Sequence, residues 1–455
     1  MATVDEAGLG SLAGSFMGEL LRPSDASYDE ARRLYNGLID KRPALIARCR
    51  SAADVVAALG FARDRRLEIS VRGGGHGVAG RALADGGVTI DLSSMKEVRV
   101  DAGARTAQAQ AGVTWGEFND ATAAHGLATT GGIISTTGIA GLTLGGGLGW
   151  LMGKLGLTVD NLLSVELVTA DGNVLSVSAE EHPDLFWALR GAGANFGVAT
   201  TFEYRLHPLS QITGGLVAHP FSAANDVLRF YRDFTSDVPD DLTVFGGLVH
   251  APDGSGVPLA ALVVCHAGDP AQAEIDLKPL MDFGSAAVTQ VGPMPYPAVN
   301  MMLDAGYPIG SLNYWKTSFI EELTDDAIDT MIEVFRDCPS PMTGILMENF
   351  HGAVTRVGVS DTAVPHRQTG YNTLIPSVWM DPETTDENVE WTRRAYSALR
   401  PHMVGRRYVN YLDADDMSES ASAAYGPNYE RLALLKRQYD PDNVFRSNLN
   451  IEPVS

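Results

Sequence analysis

The stretch Ile69-Ser70-Val71-Arg72-Gly73-Gly74-Gly75-His76-Gly77 decides how this chain is read. Leu67, Ile69 and Val71 alternate with Glu68, Ser70 and Arg72, so 67–72 is expected as a strand. That strand runs straight into three glycines and a histidine. Consecutive glycines reach backbone conformations closed to other residues, and their N–H groups can converge on an anion. A phosphate cradle fits this run, and so does a plain tight turn.

Two further glycine-rich segments follow. Residues 131–150 read GGIISTTGIAGLTLGGGLGW, in which 8 of 20 residues are glycine, too many for a helix interior or an ordinary strand. Their use is close approach of backbone to something flat or anionic, or a series of tight turns. The third run, Gly191-Ala-Gly193-Ala-Asn195-Phe-Gly197-Val198, superficially matches a dinucleotide fingerprint. It is one residue too long, and its order is helix, loop, strand, so a Rossmann unit is rejected.

Around these runs the pattern is of short mixed elements. Asp54 can cap a helix carrying Val55, Leu59 and Ala62 on one face; 88–92 and 108–112 alternate as strands. Asp171-Gly172 splits 165–178 into a hairpin, and a helix is expected over 183–190. Residues 1–40 read as an amphipathic lead-in. From about 211 the glycine character stops. Alternating segments at 242–249, 259–265 and 344–350 are separated by acidic helices such as 325–336, which reads as a sheet with helices on one side. The C-terminal part contains Tyr408-Val-Asn410-Tyr411-Leu-Asp413, taken as a short strand. A helix carrying Leu432, Leu435 and Tyr439 follows and ends before Pro441.

The run R-x-G-G-H at the end of a strand resembles the flavin-attachment segment of the vanillyl-alcohol-oxidase superfamily, in its berberine-bridge-enzyme-like branch. The C-terminal Y-x-N-Y-x-D … Y-D-P-x-N-x-F-R resembles that branch's closing signature. The resemblance implies an α+β fold with a two-lobed PCMH-type FAD-binding domain over 1–210, completed by 406–455. A substrate domain, an antiparallel sheet with helices on one side, is inserted over 211–405. It implies FAD held by a single covalent 8α-histidyl link to His76. Relatives with a second, cysteinyl link carry C-P-T-V-G, whereas here Ile134-Ser135-Thr136-Thr137-Gly138 stands in its place.

Carried over residue by residue, the resemblance puts Arg72, Gly73, Gly74, Gly75 and Gly77 at the pyrophosphate. Thr136, Thr137, Gly138, Gly141, Gly145 and Gly146 lie along the ring. Asp160 with Gly193, Asn195, Gly197 and Val198 holds the adenine half. Asn410 and Asn448 complete the cofactor site. Thr137 occupies a position thought to gate oxygen, and its small size permits reoxidation by O2. Tyr411 matches a general base of several relatives. An ordinary phenol, with a pKa of about 10, needs nearby positive charge to act near neutrality, and Lys316 is the candidate for supplying it. His351, His366, Trp315 and Trp379 are taken as structural.

The implied activity is an FAD-dependent oxidase that removes a hydride from a CH–OH or CH–N carbon of a small molecule and gives H2O2. Natural-product tailoring, a dehydrogenase, an NAD(P)H-dependent reductase and a flavin-binding protein without turnover are the alternatives.

Composition narrows the classes. The chain has 455 residues, enough for two or three lobes. A net charge of −22 argues against nucleic acid or anionic membrane as partner. The N-terminus has no basic segment followed by an apolar run, and Cys49, Cys265 and Cys338 show no metal spacing, so buried free thiols and a cytoplasmic location are expected. No metal is expected; a homodimer is compatible with the reading. No H-E-x-x-H, Walker A or G-x-S-x-G motif offers competing chemistry.

Overall fold

The computed structural model describes residues 6–209, 211–418 and 421–454. The fold is α+β, and its elements gather around two main cores. The opening stretch forms a four-stranded sheet in the order Glu19–Leu21, Leu45–Arg48, Val88–Asp91, Ile69–Arg72. The last three strands run parallel, and the helix Ala52–Asp64 lies in the chain between Leu45–Arg48 and Ile69–Arg72. Ser51 caps this helix by accepting from the Asp54 N–H at 3.2 Å. Asp54 itself is buried, accepting from the Met17 and Arg50 amides at 2.8 Å each. The carboxylate expected as the cap therefore pins the lead-in instead.

A five-stranded antiparallel sheet follows, ordered Val98–Asp101, Thr106–Gln110, Val198–Arg205, Leu162–Val168, Val174–Ser178. Its last pair is the hairpin turned at Asp171-Gly172. Both sheets share one apolar core, to which the C-terminal helix Tyr429–Tyr439 contributes Leu432 and Leu435.

The second core lies under a seven-stranded antiparallel sheet ordered Val288–Met294, Ile212–Pro220, Pro258–His266, Leu242–His250, Ile345–Phe350, Gly370–Trp379, Leu312–Ile320. Successive strand residues point to opposite faces. Val244, Leu248, Leu262, Val264, Ile345, Met347 and Ile375 bury against the helices Ala224–Thr235, Asp325–Phe335 and Thr385–Leu399. Phe245, Val263, Leu346, Glu348 and Leu374 therefore face the other way, toward the first two sheets.

The C-terminal return is fixed by buried polar contacts. Lys436 donates to Asn195 O, Asp440 Oδ2 and Phe445 O at 2.8, 2.7 and 2.8 Å. Tyr408-Asp413, expected as a strand, is instead a 3-10 turn at Val409–Tyr411. The Tyr408 hydroxyl accepts from Gly147 N at 2.9 Å, and Asn410 Nδ2 donates to Leu142 O at 3.0 Å. Side chains hooked into the glycine run override the alternating pattern.

The charge of −22 makes a test of long-range repulsion possible. Raising salt to about 1 M shortens the screening length to about 3 Å. The melting temperature is expected to rise between low salt and about 1 M KCl; a flat or falling Tm would mean that the acidic side chains are already compensated by their ion pairs.

Candidate active site

One large cavity opens where the inner face of the seven-stranded sheet meets the glycine runs. Gly73 to Gly77, Gly138, Gly141, Gly145, Gly191, Ala192, Ala194 and Asn195 line one side. Gly74 and Gly138 sit backbone against backbone: a Cβ on Gly74 would come 2.5 Å from Gly138 N. Only glycine permits this contact, and it joins the first run to the second. The third run enters at Gly191, where φ of 137° turns the chain out of the helix Pro183–Ala192.

His76 closes the first run. Its ring stacks on Tyr35, with centroids 3.9 Å apart and 11° between planes. Its Nε2 is buried with no hydrogen-bond partner, and burial lowers its pKa to about 4. It is a neutral imidazole with a free nitrogen.

The opposite wall is mostly apolar and, among the described residues, carries one carboxyl. Phe245 pairs with Val263 and with Glu348 in register, and Leu346 with Leu374. Trp315, Tyr307 and Leu303 complete that side. Glu348 is buried; its Oε2 accepts from Asn372 Nδ2 at 2.6 Å and its Oε1 from the Tyr411 hydroxyl at 2.8 Å. Burial pushes the carboxyl up to about 7, against these two donors. Burial, and then Glu348, push the Tyr411 phenol well above its ordinary value. Tyr411 is thus a protonated donor.

The expected activator of Tyr411 is occupied elsewhere. Lys316 Nζ is held by Asp415 Oδ1 at 2.5 Å and Asp416 Oδ1 at 2.7 Å. Trp315, taken as packing, lines the cavity, whereas Trp379 packs against Leu312 and Tyr314. His366 is buried and bonded to Arg407 O at 2.7 Å; His351 is buried beside Asn349.

Several expected cofactor residues stand differently. Thr137, Asn195, Asn410 and Asn448 line the cavity; Arg72, Thr136, Gly146, Asp160, Gly193, Gly197 and Val198 do not. The Arg72 guanidinium donates to the Ala31 carbonyl. Asp160 forms a paired ion bridge with Arg367 at 2.7 and 2.8 Å, tying the glycine-rich lobe to the 351–369 loop. Asn410 spends its Nδ2 on Leu142 O and the Tyr408 hydroxyl, leaving Oδ1 against Gly145. Asn448 donates to Ala194 O at 2.8 Å. Sequence reasoning missed Glu348 and Arg81. The signal for Glu348 was a carboxylate inside the apolar strand Ile345–Phe350.

The features fit a flavin dinucleotide: a cradle that side chains would fill, an orphaned imidazole nitrogen and an apolar wall opposite. Comparison with known proteins assigns the class. The chain belongs to the FAD-linked oxidoreductases of the berberine-like branch. Residues 43–178 match the FAD binding domain family, and 407–452 match the family described as berberine and berberine like.

Among relatives, (R)-6-hydroxynicotine oxidase of Paenarthrobacter nicotinovorans is 33% identical over 96% of this chain and 97% of its own. The crystal structure of 6-hydroxy-D-nicotine oxidase from Arthrobacter nicotinovorans superposes with a TM-score of 0.88 at 31% identity, covering 97% of this chain and 99% of that one. BBE-like 1 of Physcomitrella patens gives 0.88 at 25% identity over 98% and 99%.

In the Asp160–Arg367 bridge the guanidinium is buried and the carboxylate mostly so, with side chains 1% and 10% exposed. Removing one partner leaves an uncompensated charge, at a cost of about 3–5 kcal/mol. Asp160→Ala and Arg367→Ala are each expected to lower urea stability by that order, and the double variant by less than their sum. Loss of flavin from Asp160→Ala at unchanged stability would instead return this carboxylate to the cofactor site.

Proposed function

We propose that the protein is an FAD-dependent oxidase that takes a hydride from a CH–OH or CH–N carbon of a small, largely apolar molecule and passes the electrons to O2, giving H2O2. The observation that carries this is Glu348: one carboxyl, held by an amide and a phenol, on an aromatic and aliphatic wall facing the flavin cradle. Bound FAD supplies the hydride acceptor. The protein supplies orientation and a place for the proton.

His76 is the attachment residue of this reading, through its unpartnered Nε2. A neutral imidazole is the form able to bond to carbon, and burial keeps it neutral. Glu348 accepts the substrate's proton when ionised. Tyr411 and Asn372 donate to it and hold it in place, so Tyr411 acts as a positioning donor and not as the base. Trp315 and Tyr307, with ring centroids 6.3 Å apart and nearly perpendicular, present apolar edges to the substrate. Among the described residues the wall carries few polar side chains besides Glu348 and Tyr411, which favours a compact organic substrate over an oligosaccharide.

Acid precipitation separates linked from free flavin. Wild type is expected to keep its colour in the pellet and His76→Ala to release it to the supernatant; colour in the wild-type supernatant would reject the link.

The base gives a pH test. Glu348 works only as carboxylate, so flavin reduction by substrate should rise with pH through about 7 and level off above. The same raised value means that the unfolded chain holds fewer protons between the ordinary carboxyl range and about 7, so this group's contribution to stability falls across that window as pH rises. Glu348→Gln should abolish the pH step and slow reduction by about 10²–10⁴-fold. An unchanged profile in Glu348→Gln would move the proton acceptor elsewhere.

A further inference from the structure

We propose that Arg81 is the anion anchor of this cavity and takes the diphosphate of the dinucleotide. The proposal rests on the FAD reading and adds to it a residue that neither the glycine motif nor the family signature singles out. Arg81 is the one Arg or Lys among the described residues lining the cavity. Its Nε and Nη2 are buried and have no hydrogen-bond partner. Burying an unpaired charge is costly unless something of opposite sign arrives to meet it. Burial also makes its proton harder to hold, outweighing the opposing pull of Tyr425, Asp413 and Asp416.

Asp413 and Asp416 favour the charge of Arg81 from nearby, but among the described contacts neither forms an ion pair or hydrogen bond with it. Asp416 is shared by Lys316 and Arg407, at 2.7 and 2.9 Å. Asp413 accepts from the Trp315 and Ala414 amides at 2.9 and 2.5 Å. Arg72, the arginine that the sequence suggested for the pyrophosphate, is turned to Ala31 O. Glycine N–H groups alone offer dipoles, whereas a diphosphate brings full negative charge into a chain whose net charge is already −22. A guanidinium's planar fork of donors matches phosphate oxygens in pairs. Arg81 lines the cavity together with Tyr425 and with Asn195 of the third glycine run. This places the charge next to the backbone turn that lines the cavity at Ala192, Ala194 and Asn195.

The test compares ligands that differ only by their phosphates and nucleoside. In the His76→Ala background, flavin-free protein is titrated with FAD and with riboflavin by fluorescence quenching, and with ADP and adenosine by calorimetry. Arg81→Met should weaken FAD and ADP by about 10- to 100-fold, the range for losing a charge-assisted hydrogen bond, and leave riboflavin and adenosine unchanged. Arg81→Lys should recover part of the loss. Riboflavin binding doubles as the check that the variant is folded.

Equal weakening of FAD and riboflavin would overturn the proposal in favour of a packing role, and so would no change in either. A wild type that releases flavin in acid rejects the histidyl link and leaves this titration valid on the wild-type chain. Failure of every form to bind FAD or ADP would reject the cofactor and Arg81 together.

Discussion

The contact of Gly74 with Gly138 is the constraint on which the site depends. Two glycine runs more than sixty positions apart in sequence meet main chain to main chain, at a distance no Cβ would allow. Because they meet, the end of the strand Ile69–Arg72 and the start of the helix Ile139–Leu144 border one cavity. The C-terminal return then locks the arrangement. Tyr408 bonds to the amides of Gly147 and Leu148, and Asn195 exchanges bonds with Leu449 and Ile451. A backbone cradle is rigid because its donors cannot change rotamer, which suits a cofactor that must stay fixed while substrates come and go.

The opposite wall follows from strand alternation. The same period that sends Ile345 and Met347 into the helix-side core sends Leu346 and Glu348 into the cavity. A carboxyl in that position is expensive, and its two donors offset the cost only in part, so its proton affinity rises into the physiological range. The cavity therefore carries one cation, Arg81, on the glycine side and one acid, Glu348, on the sheet side, among its described lining residues. That polarity would suit a dinucleotide lying across the lobes with its central diphosphate toward the glycine side and its reacting ring toward Glu348.

Much of this is legible in the sequence, and the misses share a cause. Glycine runs announce themselves because excess glycine has few other uses, and the hairpin at Asp171-Gly172 and the helix Asp325–Phe335 follow from local pattern. Glu348 stayed hidden because its meaning depends on register: only pairing with Phe245 and Asn372 shows which face it occupies. Lys316 was misread for the same reason, since Asp415 and Asp416 claim it from a turn about a hundred residues away. Asp160 has the look of a ligand in sequence, yet Arg367 from the other lobe takes both of its oxygens. Long-range charge pairing leaves no periodic trace in a single chain.

The central claim is that one cofactor bridges the glycine cradle and the Glu348 wall, bonded at His76. A crystal structure of the yellow protein tests it most directly. The account requires continuous density from His76 Nε2 to the flavin's 8α carbon, the ring between Gly138–Gly145 and Glu348, and the diphosphate within reach of Arg81. A flavin with a break at His76, or one whose ring lies away from Glu348, would contradict it.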